Sequence, residues 1–148
     1  MPRLDNSIDI KAPRETVFQY VADVAARPEW VKWTKRAEVT SPQQKGLGAT
    51  DAGTMQVGPR KENVEAIVTE YKENELFTRR HTRGLELTDR LALVAMADST
   101  TKVAWSVEYT PPMGGLGKLV DLVFMVRLLD QLMKDSLTNL RERLERAR

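Results

Sequence analysis

His81 is the only histidine in the chain, and there is no cysteine. No Cys-His pair, thiol nucleophile or two-histidine metal site can therefore be assembled, and the expectation is a chain without a metal or cofactor. His81 remains available as a lone acid or base, because an imidazole titrates near neutrality. It lies in "TRRHTR", where alternation is too weak to say which face it takes, and an exposed strand histidine is the simpler reading. Asp89 is more informative. It interrupts the apolar row Leu85, Leu87, Leu91, Leu93 and Ala95, and a carboxylate facing inward needs a raised pKa or an arginine partner. Arg79 or Arg80 could supply that partner; alternatively, a β-bulge turns Asp89 outward. Tyr109 is the third candidate, with a hydroxyl that could donate to a ligand carbonyl or simply sit satisfied in a core.

One further stretch invites a chemical reading. "TPPMGGLGKLVDLVF", residues 110–124, runs glycines into a lysine and then into an apolar segment. A phosphate loop would need glycine where Pro112 stands and Ser or Thr where Leu119 stands, so the pattern fails at both positions. The remaining reading is a joint, with Pro111 and Pro112 ending a strand and Gly114, Gly115 and Gly117 letting the backbone bend.

These residues must be held by a single domain, since 148 residues bury enough surface to fold without staples. With 41% hydrophobic and 30% charged residues the chain is neither disordered nor fibrous, and no run reaches the apolar length of a membrane span. The expectation is therefore no stable membrane insertion. The absence of cysteine and of an apolar leader in "MPRLDNSIDIK" points to the cytoplasm. A net charge of +2 and basic clusters that are short or mixed with acids argue against nucleic acid as a partner.

The elements follow from periodicity. "NSIDIKA" alternates as a half-buried strand. Pro13 then occupies a first helical position, and Val17, Val21 and Val24 recur at helical spacing up to about Ala26. "PEWVKW" restarts as a short second helix with Trp30 and Trp33 on one face; the pair could grip a ligand, or one could pack in the core while the other caps it. From about residue 36 to 110 short polar turns separate strands, as in an antiparallel meander, and Val103, Trp105, Val107 and Tyr109 form its clearest dry face. Leu129, Leu132, Met133, Leu137, Leu140 and Leu144 then mark a long terminal helix over residues 116–147.

This order, strand, two short helices, about six antiparallel strands and a long helix, is an α+β helix-grip arrangement. On "SIDIKAPRETVFQYVADVAARPEWVKW", "VTEYKENELF", "TTKVAWSVEY" and "GGLGKLVDLVF" with "LTNLRERLE", the chain resembles the START-like or SRPBCC superfamily, in its polyketide cyclase/dehydrase and lipid-transport branch. The resemblance implies an internal apolar cavity between sheet and terminal helix that binds a lipid, sterol, polyketide or other hydrophobic small molecule. The residues expected there are Trp30, Trp33, Met55, Leu91, Trp105, Tyr109, Met113, Phe124, Met125 and Leu129, large adaptable groups suited to irregular ligands. Carrier and cyclase, aromatase or dehydratase roles both fit; in the second, Asp89, His81 or Tyr109 would move protons. The expected assembly is a monomer or weak homodimer.

Overall fold

A computed structural model of the chain describes residues 3–110 and 118–146, with side chains from residue 122 onward in the second segment. Seven strands form one antiparallel sheet: β1 (Arg3–Ile10), β2 (Thr34–Val39), β3 (Thr50–Val57), β4 (Arg60–Lys72), β5 (Leu76–Arg83), β6 (Glu86–Met96) and β7 (Thr100–Thr110), in the order β1-β7-β6-β5-β4-β3-β2. Two short helices, α1 (Arg14–Val21) and α2 (Arg27–Trp30), follow β1, and α3 (Lys118–Arg146) ends the chain. The architecture is the α+β helix-grip arrangement that the order of elements implies.

The period-two pattern of β7 produces the expected inner face, with Val103, Trp105, Val107 and Tyr109 all buried. Leu87, Leu91 and Leu93 of β6 continue it, and α3 adds Leu129, Met133, Leu137, Leu140 and Leu144 to the same cluster. Each such side chain contributes about 1.5–3 kcal/mol by leaving water. Polar ties fix α3 at its rim: Asn6 Nδ2 donates to Asp130 Oδ1 at 2.8 Å, and the Lys11 amide to Glu145 Oε2 at 2.9 Å.

Three local expectations need correction. Pro13 is the residue before α1, with extended backbone (φ −63°, ψ 148°), and not its first helical residue. The helix also stops at Val21, because Asp23 takes extended geometry and its Oδ1 accepts the Ala25 amide, starting a separate 3-10 turn at Val24–Ala26. Finally, α2 is a single turn ending at Trp30, so Trp33 lies beyond it and the two indoles do not share a helical face.

Candidate functional site

Strand β6 pairs with β7 without a slip from Glu86↔Thr110 to Met96↔Thr100, so no bulge rotates Asp89 outward. The carboxylate is fully buried, and Asp89 stands opposite Arg79 across β5 and β6. Arg79 Nη1 donates to Asp89 Oδ2 at 3.4 Å, and the same oxygen receives Arg27 Nη2 at 3.2 Å. Arg79 then grips a second carboxylate in a fork, with Nη2 and Nε at 2.6 and 3.1 Å from Asp51 Oδ1 and Oδ2. The fork crosses β4, where Ala66, the register partner of both Asp51 and His81, leaves room for it. Two cations and two anions thus alternate in a dry setting, where each charge requires its neighbours to offset the loss of water.

Burial and pairing act differently on the two arginines. Burial pulls Arg27 down to about 10, the Asp89 charge offsetting only part of it. Arg79 suffers the same burial, but Asp51 and Asp89 outweigh it and hold its pKa above the ordinary value. His81 is also buried, contrary to the exposed reading. It shares the inward parity of Phe77 and Arg79 on β5 and stands opposite Ala66, and its Nδ1 lies 2.8 Å from the Leu85 carbonyl. A carbonyl oxygen can only accept, so Nδ1 carries the proton and Nε2 the lone pair. Burial first, and the Arg79 charge second, push the imidazole pKa down and favour the neutral ring.

Beside this cluster lies an aromatic floor. Trp33 stacks on Trp105 at 5.1 Å between ring centres, Trp30 tilts against Trp105 at 5.3 Å, and the Arg27 guanidinium carbon sits 5.9 Å from the Trp30 ring centre. Met55, Leu91, Tyr109 and Leu129 are buried in the same core, and Met125 is half-buried against it. Burial raises the Tyr109 phenol pKa, with the Arg60 charge opposing. Phe124 departs from the expectation: it is 59% exposed. At about 100° per residue it lies roughly 140° around α3 from Leu129, off the stripe that faces the sheet. Met113 and most of the glycine-rich joint fall outside the described residues.

Several buried polar atoms here lack a hydrogen-bond partner: Arg27 Nε and Nη1, Asp89 Oδ1, the indole nitrogens of Trp30 and Trp105, and the Tyr109 hydroxyl. A crevice of about 20 Å³ opens among Arg27, Trp33, Asp51, Met55, Arg79 and His81. Larger clefts lie outside this core, one of about 360 Å³ between α1 and the β2–β3 loop, near Phe18, Gln19, Lys45 and Tyr71. Among the described residues no group of three or more His, Asp or Glu side chains is placed to hold a metal ion. No described helix is long and apolar enough to cross a membrane.

Residues 1–145 match the family described as polyketide cyclase / dehydrase and lipid transport. The chain belongs to this family. No curated protein matches its sequence. Among solved structures it is similar to a START superfamily protein from Mycobacterium smegmatis, with 15% identity, TM-score 0.78 and 99% of each chain covered. It is also similar to the Zhui aromatase/cyclase from Streptomyces sp. R1128, with 11% identity, TM-score 0.85 and coverage of 98% of this chain and 94% of that one. A third likeness is to the di-domain ARO/CYC BexL, at 16% identity and TM-score 0.72, where 96% of this chain covers 46% of the other. At these identities the likenesses establish the family's fold.

The sequence pointed to Asp89 and to Arg79 as a candidate partner, but not to Arg27 or Asp51. Asp51 had a signal, since it shares inward parity with Gly53, Met55 and Val57 on β3. Arg27 had none. It opens a one-turn helix directly after a 3-10 turn, where no periodicity assigns a face.

Proposed function

We propose that the chain binds a hydrophobic small molecule of the lipid, sterol or polyketide kind on the concave face, between the sheet and α3. The observation that carries this reading is the set of unpartnered donors in an aromatic core: Trp30 Nε1, Trp105 Nε1 and the Tyr109 hydroxyl. A buried donor without an acceptor costs about 1–3 kcal/mol, which a ligand oxygen would remove. Apolar contact with Trp33, Leu91 and Leu129 would supply affinity, and the donors would set orientation. The family supports the same reading, because its description includes lipid transport.

Native mass spectrometry of protein purified from its host, followed by extraction, tests it; the expected result is one retained apolar molecule per chain. No retained molecule, together with no thermal shift across fatty acids, sterols and aromatic polyketides, would sink the reading.

A second reading, a cyclase, aromatase or dehydratase, is favoured by one observation: charged and neutral catalytic types lie beside the aromatic floor. His81 Nε2 could take a proton from a carbon between two ketones while Arg27 stabilises the enolate oxygen, and the enolate carbon would then attack a second carbonyl in the same chain. The alkoxide so formed would recover the proton from His81. Asp89 would hold Arg27, and Tyr109 could donate to a ketone. If this is the chemistry, His81→Gln abolishes turnover of a poly-β-ketone while keeping the ligand's thermal shift; undiminished turnover removes His81 from the step.

A further inference from the structure

The cleft of about 360 Å³ between α1 and the β2–β3 loop shares no lining residue with the crevice at Arg27, and its size is that of a small-molecule site. Its floor is aromatic because of a register slip. Between Val68 and Glu70 the β4–β5 pairing leaves Thr69 without a partner, so Tyr71 changes parity within its strand and turns to the side of Phe77, its register partner. Phe18 of α1 meets the Tyr71 ring edge-on at 5.4 Å, and Phe77 meets it at 6.3 Å. Phe18 and Phe77 are buried, whereas Tyr71 is half-buried and its hydroxyl bonds to none of the described residues.

The opposite wall is a loop held in shape by its own side chains. Gln43 Nε2 donates to the carbonyls of Lys45 and Leu47 at 2.8 and 2.9 Å, and the Thr50 amide donates to Ser41 Oγ at 3.0 Å. The Gly48 amide ties the loop to the Val68 carbonyl at 2.9 Å. A compact loop of this kind keeps the cleft formed before a ligand arrives, which lowers the ordering cost of binding.

The charges select the ligand. Asp23 and Glu73 line the cleft against Lys45, and none of these residues makes an ion pair among the described residues. Asp23 commits one oxygen to the Ala25 amide at 3.2 Å and keeps the other. Glu73 lies close to the Tyr71 hydroxyl: burial first, and the Glu73 charge second, raise that phenol's pKa. Helix α1 ends at Val21, beside Ala22 and Asp23 of the cleft, so its last carbonyls add partial negative charge there. Lys45 is exposed, on a stem long enough to keep its ammonium in water. The balance is net negative beside an aromatic floor.

We propose that this cleft binds an organic monocation, a protonated amine carried on a small apolar body. The body lies on Phe18 and Tyr71, and the ammonium faces Asp23 and Glu73, with the Tyr71 hydroxyl as a further acceptor. The site is separate from the hydrophobic cargo proposed above, and each can stand without the other.

The test uses probes with one body and different heads, 2-phenylethylamine, 2-phenylethanol and 3-phenylpropanoate, added at neutral pH to the ¹⁵N-labelled full chain and followed by NMR at the backbone amides. The amine is expected to give saturable shifts at Ala22, Asp23, Lys45 and Glu73, and to weaken as salt is added. The alcohol should bind the same amides more weakly, and the propanoate should not saturate them. Glu73→Gln, at an exposed position, should weaken the amine about two- to fivefold, the scale of one exposed ion pair, and leave the alcohol unchanged. If that variant does not fold, the probe series on the unaltered chain still decides. An alcohol that binds as tightly as the amine would overturn the proposal, as would a propanoate that binds more tightly, or amine shifts that map to Trp105 and its neighbours instead of the cleft. Amine binding with no retained lipid, sterol or polyketide would remove the broader binding role and leave this site standing; retention of such a molecule without amine selectivity would do the reverse.

Discussion

Along α3 the chain buries Leu129, Met133, Leu137, Leu140 and Leu144, none of which needs anything from its neighbours but contact. Across the sheet, among β3, β5, β6 and α2, it buries Arg27, Asp51, Arg79 and Asp89, which need one another and still leave three polar atoms unmatched. Burial holds the first region together without conditions. The second holds only while every charge keeps its partner, and its unmatched atoms are positions where a ligand gains more than water would offer. Stability is thus concentrated on one side of the concave face and selectivity on the other.

The sharpest way to break this contrast is Asp89→Leu, which strips Arg27 of its ion pair inside the fold. A loss of about 3–5 kcal/mol in urea unfolding is expected. Joining Arg27→Met to it should restore much of that loss, since Arg79 keeps Asp51. A loss below about 1 kcal/mol for Asp89→Leu alone would mean the cluster is wet. On the apolar side, Leu140→Ala should cost about 2–5 kcal/mol through the cavity it leaves. No double change should rescue it in the same way; a second substitution that restored it would merge the two regions into one.

The smallest effect expected is a dependence on pH. Burial and Arg79 depress the His81 pKa in the folded chain below the ordinary 6.5, so the unfolded chain takes up this proton first as pH falls. The contribution is therefore complete above about pH 6.5 and lost on acidification below it. Asp5 and Asp130, lowered by their hydrogen bonds from Ser106 and Asn6, act only below the ordinary carboxylate value of 3.8, well apart from this window. Urea midpoints measured from pH 7.5 to 5 should fall for the native chain and stay flatter for His81→Gln; equal slopes would assign the dependence to another group.

Much of the fold was legible because β6, β7 and α3 each repeat one periodicity over ten or more residues, so that parity alone placed Leu91, Trp105, Tyr109 and Leu129 inside. Phe124 was misplaced because it was assigned by residue type, when its angle from the Leu129 stripe decides the matter. The charge cluster was half legible. Asp89 stands out inside an apolar row, but the other three charges of the cluster come from three other elements, and contact across β4 or from a one-turn helix leaves no local trace. His81 was hidden because its inward neighbour Arg79 and its outward neighbours Arg80 and Thr82 are all polar, so β5 alternates in burial without an apolar row that would have given the face.

Gly53 carries a consequence of another kind. A Cβ built there would fall on the Arg36 carbonyl oxygen, because β2 passes β3 with no room for even a methyl group. Any side chain at that position must lever the last strand away from the sheet, leaving β3 as an unprotected margin of free amides and carbonyls. Such margins recruit strands from other chains, so this glycine also guards the protein's solubility.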